Sequence, residues 1–346
     1  MARIDDVARL AGVSTATVSR ALRGLPTVSE LTRARVLSAA TQLGYVASPS
    51  ASRLAGGKTR SVAAVVPRLT RWFFATVIEA AQDRLYEAGY DLLLYNLGGR
   101  EQERRRLFHA AALTHRVDAL MLIATPLHDE DFAAVTRLAL PGVTVSSGTP
   151  VPGWPCVRID DTAAGRTATE YLLRLGHRRI AHISGDPTDE LAFTAHLDRR
   201  RGYLDALADA GVPADPSLDV EDEFTVAGGE RAAAELLRRH DPPPTAIFAA
   251  CDEIAMGAMA TLRQAGLRVP QDVSVIGIDD HDLAGAVGLT TVAQPATEQG
   301  RLAATAILEQ ELDPRDPAIW EPDGGPPMVL PTRLIIRDST APPLAP

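Results

Sequence analysis

The chain has 346 residues, 46% of them hydrophobic, and a mean hydropathy near zero; that is long for one domain and predicts two or three packed ones. No run approaches the roughly 18 apolar residues of a membrane span, and the first residues lack the apolar core of a signal peptide, so no membrane partner and a cytoplasmic setting are expected. The net charge of −9 is uneven, +6 over residues 1–60 and −15 over the rest, a basic head on an acidic body that fits either a polyanion held by the head or an ordinary solvated face.

Ile4, Val7, Ala8 and Ala11 recur at helical spacing, with Asp5 and Asp6 in the first turn, where the helix dipole favours anions. Gly12 ends this segment, and Ser14 can cap a second helix over 15–22. After the turn at Pro26, Ser29 can cap a third, with Val36, Leu37, Ala40 and Leu43 on one face and Gly44 at its end. Residues 47–60, ASPSASRLAGGKTR, are small, polar and glycine-bearing, the composition of a linker. Within it, Pro49 to Ala55 has room for one or two helical turns.

From Ser61, strand-length apolar runs alternate with helix-length amphipathic segments: SVAAVV, then 73–88; YDLLLYN, then 101–114; DALMLIA, then 129–139; and GVTVSS. After a proline-bearing break at 150–155 the rhythm resumes with CVRI, then 162–175; RIAHIS, then a helix reaching Ala210; TAIFAA, then 252–265; and VSVIGI. Such alternation is the signature of parallel sheets with crossover helices, and two rounds of it predict two similar α/β lobes. A helix over 296–311 and strands within 328–336 remain for a return crossing, separated by a proline- and glycine-rich loop from Asp313 to Pro327. The tail is expected to be disordered.

The stretch GVSTATVSRAL is crowded with Ser, Thr and Val, which are mediocre helix formers. On a helical wheel Val18, Ala21 and Leu22 share one arc, Thr15, Ala16, Ser19 and Arg20 the opposite arc, and Thr17 the boundary. The slim apolar side lets the helix approach a neighbour. The other side offers hydroxyls and one guanidinium, which suit phosphate oxygens and the guanine O6 and N7 pair. Helix, glycine turn and helix with that face make a helix-turn-helix, so propensity is given up for a surface that meets double-stranded DNA. A plain capped helix in a small bundle would share the backbone but needs no such face.

RIDDVARLAGVSTATVSRALRGLPTVSELTRARVLSAATQLGYVAS carries D-V-A-x-x-A-G-V-S-x-x-T-V-S-R, then V-S, T-R and L-G-Y at matching distances. It closely resembles the headpiece of the LacI/GalR family of bacterial transcription regulators. DTAAGRTATEYLLRLGHRRIAHISG, AIFAACDEIAMGAMATLRQAGLRVPQDVSVIGIDD and LPTRLIIRDS extend the likeness to Asp338. The resemblance implies an α/β protein with a three-helix helix-turn-helix headpiece over 1–46 and a hinge helix or linker over 47–59. The implied core, 60–338, has the two-lobed type I periplasmic-binding-protein fold. Its N-lobe would span about 60–158 plus 293–318 and its C-lobe about 159–290 plus 319–338, before a disordered tail at 339–346. The implied function is that of a repressor binding a pseudo-palindromic operator as a homodimer, under control of a small effector between the lobes, a sugar or sugar derivative.

By that resemblance Thr15, Ala16 and Arg20 face bases in the major groove, and Ser14, Thr17 and Ser19 hold phosphates. Leu54 is the hinge wedge that opens the central base step from the minor groove. Arg3 stands where the family usually caps the first helix with Thr, which weakens that cap. In the cleft, Arg199 matches an arginine that holds effector hydroxyl or carboxyl groups, and Phe224 an aromatic suited to stacking on a sugar face. Asp279 matches a hydrogen-bonding carboxylate, Gln294 faces the cleft from a crossing segment, and Phe73 and Phe74 match its apolar wall, with Trp72 nearby. Core packing is the other role open to each aromatic. Cys251 replaces the family's effector-binding Asn; a thiol is a weak donor and acceptor, which argues against the usual sugar contact there.

Catalytic signatures are absent: there is no Walker A sequence, GxGxxG, G-x-S-x-G elbow or HExxH, so no enzyme, cofactor or metal is expected. Cys156 and Cys251, the two cysteines, stand 95 positions apart, which excludes a disulfide framework and a CxxC pair. Nothing basic in sequence is positioned to depress the Cys251 pKa. His177 and His182 straddle a helix-to-strand transition, a poor metal site, and Arg104-Arg105-Arg106 reads as a solvated helix face rather than a second DNA site.

Overall fold

A computed structural model describes residues 2–22, 25–45, 58–98, 100–109, 112–125, 127–147, 151–185, 194–312 and 326–344. The chain divides into two compact units, Met1–Arg60 with His115–Asp118, and Ser61–Thr114 with Ala119–Pro346.

In the first unit, helices α1 (Ile4–Ala11), α2 (Thr15–Leu22) and α3 (Glu30–Gln42) follow the expected spans. Arg3 cannot accept a capping hydrogen bond, and Asp6 offsets this by reaching back, its Oδ2 accepting from Arg3 N at 2.9 Å. Gly12 ends α1 at φ +65°. Nothing lies within 4 Å of a Cβ built there, so the left-handed backbone, not crowding, calls for glycine. Val7, Ala11, Val18, Ala21, Val36 and Ala40 are buried together; all six are small, the alanines with one side-chain carbon and the valines with three, and the helices close tightly. At the far end of the linker, the two Asp118 carboxylate oxygens accept from Thr59 N and Arg60 N, each at 2.7 Å.

The second unit is built on two six-stranded sheets. In chain order its elements are β1 (Ser61–Val66), α4 (Trp72–Glu87), β2 (Asp91–Asn96), α5 (Glu101–His109), β3 (Ala119–Ile123), α6 (Asp129–Arg137), β4 (Gly142–Val145) and β5 (Cys156–Ile159). Then come α7 (Asp161–Arg174), β6 (Ile180–Gly185), α8 (Ala195–Asp209), β7 (Asp219–Asp222), α9 (Val226–Arg239), β8 (Ala246–Ala249), α10 (Asp252–Gln264), β9 (Ser274–Asp279), α11 (Ala284–Val287) and β10 (Thr290–Ala293). The last are α12 (Ala296–Leu312), β11 (Met328–Leu330) and β12 (Arg333–Ile335). The sheet orders are β11-β5-β4-β3-β1-β2 and β12-β10-β9-β8-β6-β7. Every pairing is parallel except β10 with β12, and both sheets reverse direction beside their first strand. Ligands of open α/β sheets bind beyond the strand carboxyl ends at such reversals.

The chain crosses between lobes three times: from β5 into α7, from β10 into α12, and from β11 into β12. Ala303, Ala304 and Ile307 of α12 pack with Val77 and Ile78 of α4 in the first-lobe core, so the helix returns to the lobe whose sheet was left at β5.

Four differences from the sequence reading have physical causes. Met328–Leu330 pairs with β5 in the first sheet, so 319–338 is not all C-lobe: a three-residue strand carries no signal for which sheet it will join. Residues 339–341 are not a disordered tail: Ser339 Oγ donates to Val275 O at 2.6 Å and accepts from Thr290 N at 2.8 Å, and Ala341 O meets His177 Nε2 at 2.9 Å. The β7–α9 pair between Ala210 and β8 went unread, because edge strand DVED is acidic and α9 opens on a glycine pair that blurs its apolar stripe. Arg104 is not solvated. It is 2% exposed, with Asp131 3.0 Å away and Glu101 on its other side, while Arg105 remains exposed.

Candidate nucleic-acid interface and ligand cleft

On α2, Val18 and Ala21 are buried and Leu22 half-buried, whereas Ser14, Thr15, Ala16 and Arg20 are exposed and Thr17 and Ser19 intermediate. The face is prepared locally: Ser14 Oγ accepts from Thr17 N at 3.2 Å and sits 2.9 Å from Thr17 Oγ1. Arg20 Nε donates to Ala16 O at 3.2 Å, which anchors the guanidinium along the helix. Hydroxyls, a methyl and a cation thus share one solvent-facing strip at the amino end of a helix, where backbone N–H groups also favour anions. Leu54 lies outside the described residues.

The second constellation forms where β8, β9 and β10 end. Its centre is Arg199, in the second turn of α8 and 4% exposed. It reaches Asp161 because α7 and α8 touch backbone to backbone. A Cβ on Gly165 would lie 2.2 Å from Arg199 O, and one on Gly202 2.0 Å from Thr162 O, so only glycine permits the approach. Arg199 Nε then donates to Asp161 Oδ1 at 2.8 Å and Nη1 to Ala250 O at 2.6 Å, with Asp279 Oδ1 3.7 Å away. Burial works to lower the guanidinium's pKa, but Asp161 and Asp279 outweigh it and hold the Arg199 pKa above its usual value. Burial pushes Asp161 up despite the opposing charge of Arg199.

Asp279 also accepts from Gln294 Nε2 at 2.6 Å, and burial raises its pKa against both partners. Asp252, the first residue of α10, is fully buried. It accepts from Thr291 Oγ1 at 2.7 Å and His281 N at 2.9 Å, and burial, then the charge of Asp279, raises its pKa. Cys251 caps α10 without a side-chain hydrogen bond. Burial and Asp279 push its thiol up, and the nearby Arg199 cannot reverse this, so it stays a neutral, unreactive thiol.

Arg199, Cys251, Asp279 and Gln294 therefore converge. Phe224, half-buried between β7 and α9, occupies space opened by Gly185, where a Cβ would lie 2.6 Å from the ring. Phe74 is 7% exposed and packs into the first-lobe core, edge-on to Phe73 at 5.5 Å, so it supports the wall more than it forms it. Trp72 lies 5.4 Å from the His281 ring, and Arg71 Nη1 is 3.7 Å from Glu253 Oε1; both contacts join the amino end of α4 to the second lobe. Sequence reasoning missed Asp161, Asp252 and Thr291. The Asp160-Asp161 pair after CVRI was the available signal: Asp160 caps α7 by accepting from Ala163 N at 2.9 Å, which leaves the second carboxylate for another task.

A helix-turn-helix head followed by a two-sheet, periplasmic-binding-protein-like core defines a DNA-binding transcription regulator with a ligand-type cleft. Residues 3–48 match the lacI family of bacterial regulatory proteins, and residues 169–340 match the periplasmic binding protein-like domain. The HTH-type transcriptional repressor CytR of Escherichia coli is 34% identical over 311 residues, 89% of each chain. The transcriptional regulator CelR, solved in complex with cellobiose, is 33% identical with TM-score 0.70 over 98% of this chain and 100% of that one. The Lac repressor dimer bound to operator and the anti-inducer ONPF is 25% identical, with TM-score 0.80 over 98% of this chain and 99% of that one. The chain belongs to the LacI family. No described helix is long and apolar enough to cross a membrane.

Proposed function

We propose that the protein is a homodimeric repressor that binds a pseudo-palindromic operator and is controlled by an uncharged, carbohydrate-like effector between its lobes. The observation that carries the reading is the exposed strip on α2, hydroxylated with one guanidinium and backed by buried Val18 and Ala21. Thr15, Ala16 and Arg20 read bases; Ser14, Thr17 and Ser19 hold phosphates; a pair of Leu54 side chains wedges the centre of the site, unstacking a step for about a few kcal/mol in exchange for a bent, better-contacted duplex. A two-fold protein calls for a two-fold site.

The cleft chemistry favours a polyhydroxyl ligand over an acid. The buried cation Arg199 is already matched by Asp161 and Asp279, so an added carboxylate would meet surplus negative charge. Trp72 Nε1 has no hydrogen-bond partner among the described residues and is a donor for a hydroxyl, while Phe224 and Phe73 supply faces for a sugar ring. The relative CelR bound to cellobiose supports the same class. The reading is of a regulator, not an enzyme.

The test selects duplexes from random DNA, then measures their affinity against salt. Six to ten phosphate contacts should weaken binding by about 10³–10⁵-fold between about 50 and 200 mM salt, and Arg20→Ala should lose about 1–3 kcal/mol and relax sequence preference at its base. A flat salt response, or an unchanged preference, would overturn the DNA-reading role of α2. Cellobiose and ribose then serve as first probes of release from the selected duplex.

A further inference from the structure

Four polar side chains run unbroken from the second lobe to the first. Gln294 Nε2 donates to Asp279 Oδ1 at 2.6 Å, Gln299 Nε2 donates to Gln294 Oε1 at 3.0 Å, and Ser146 Oγ donates to Gln299 Oε1 at 2.9 Å. Asp279 ends β9 in the second sheet, Gln294 sits on the crossing between lobes, Gln299 lies in the first turns of α12, and Ser146 follows β4 in the first sheet. Gln299 is 0% exposed and Gln294 and Asp279 each 7%, so the two bonds among them are shielded from water, while Ser146 is half-buried.

The chain has a direction. An ionised carboxylate only accepts, so Asp279 turns the Gln294 amide nitrogen toward itself. The oxygen of Gln294 must then face Gln299, which repeats the constraint one residue on and leaves an oxygen for the Ser146 hydroxyl. Anything that takes over Asp279 Oδ1, or supplies it with a proton, removes the reason for the orientation of both amides. The two ends are also held in unfavourable backbone: Ser146 has φ +48° and Asp279 φ +138°, conformations that L-residues keep only when surroundings over-determine them. Each strained residue aims a side chain into the same bond series. Ser146 N donates to Val157 O at 2.9 Å, so its position is tied to the sheet itself.

We propose that Asp279, Gln294, Gln299 and Ser146 form an interlobe relay through which engagement of Asp279 in the cleft is felt at the carboxyl end of β4. The proposal rests on the reading of that cleft as the effector site and assigns Gln299 and Ser146 as positioning residues. They set how strongly the second lobe's state reaches the first, rather than whether a ligand binds.

Hydrogen–deuterium exchange on the full-length protein, read by mass spectrometry without DNA or effector, tests the relay. Ser146→Gly removes the hydroxyl yet suits a positive φ; it should speed exchange at residues 279–283 of the other lobe at least threefold. Ser146→Asn, whose amide can donate and which tolerates left-handed backbone, should restore the parental rate. Asp279→Asn should speed exchange across 142–147, and both cross-lobe effects should vanish in a Gln299→Leu background. Effects confined to the substituted lobe, failure of the Asn rescue, or cross-lobe effects that survive Gln299→Leu would each overturn the relay. Because the readout needs no ligand, its failure leaves the effector reading standing, and a working relay in a protein that binds no small molecule would count against that reading alone.

Discussion

Replacing Gly202 by Ala isolates the device that builds the cleft. The added methyl would lie 2.0 Å from Thr162 O and 2.6 Å from Arg166 N, and both obstacles are backbone, which cannot swing aside. Restoring ordinary contact near 3.4 Å requires α8 to retreat from α7 by about 1.4 Å. A retreat of that size carries Arg199 Nε from 2.8 Å to about 4 Å from Asp161 Oδ1, outside hydrogen-bond range. Overpacking alone costs about 1–3 kcal/mol, and the upper figure applies because a buried charge pair loosens with it. At about 2–4 °C per kcal/mol for a lobe of this size, about 3 kcal/mol lowers the melting temperature by about 6–12 °C. Differential scanning calorimetry of the purified chain measures it, with Gly285→Ala as the control. Nothing lies within 4 Å of a Cβ at Gly285, and a helical Gly→Ala in open space stabilises by about 0.4–1 kcal/mol. A Gly202→Ala protein that melts with the parent, or a Gly285→Ala protein equally destabilised, would refute the close-approach argument.

Three further outcomes follow from buried charge. His182, between Tyr203 and Phe248 at 5.0 and 4.7 Å, is pushed down to about 4 by burial. The unfolded chain keeps that proton up to about 6.5, so the contribution to stability is complete above 6.5 and is lost as pH falls toward 4, about 2 kcal/mol by pH 5. Urea titrations at pH 7 and pH 5 should therefore show a smaller pH difference for His182→Phe than for the parent; equal differences would remove the assignment. Arg104→Met leaves buried Asp131 with only the His109 imidazole, 3.2 Å away, and should cost about 3 kcal/mol, against no more than about 1 kcal/mol for Arg105→Met on the exposed face; equal costs would return Arg104 to the solvated face. Arg199→Ala should abolish effector response while operator affinity without effector survives, read by fluorescence anisotropy on the selected duplex; a variant that still responds normally would displace Arg199 from the cleft.

Much of this was legible in the residues. The head was readable because its signals are local: caps at Ser14 and Ser29, glycines at Gly12 and Gly44, and a two-faced α2. The core rhythm was readable because fully buried parallel strands leave continuous apolar runs, as in SVAAVV and ALMLI. What escaped depends on distant partners. Arg104 looks like its neighbours until α6 brings Asp131 over it. Ser146 and Gln299, 153 positions apart, are ordinary polar residues until the crossing at Gln294 aligns them. Ser339 and Ala341 read as tail because their partners, Val275, Thr290 and His177, lie in other strands and turns. Asp161 is an ordinary first-turn carboxylate until α8 brings Arg199, 38 positions on, within 2.8 Å of it.

The threefold crossing has a consequence for how the protein is made. As the chain leaves the ribosome, the first lobe emerges without α12, whose Ala303, Ala304 and Ile307 complete its core, and without β11, which covers the open edge of β5. Both arrive only after the whole span from α7 to β10 has been synthesised. At about 5–20 residues per second, the half-built lobe waits on the order of ten seconds or more with its apolar side bare. A truncation before Ala296 would leave it in that state permanently, prey to proteases and aggregation, and one between Leu312 and Met328 would still leave the edge of β5 open, so the first lobe is finished only when Leu330 is in place.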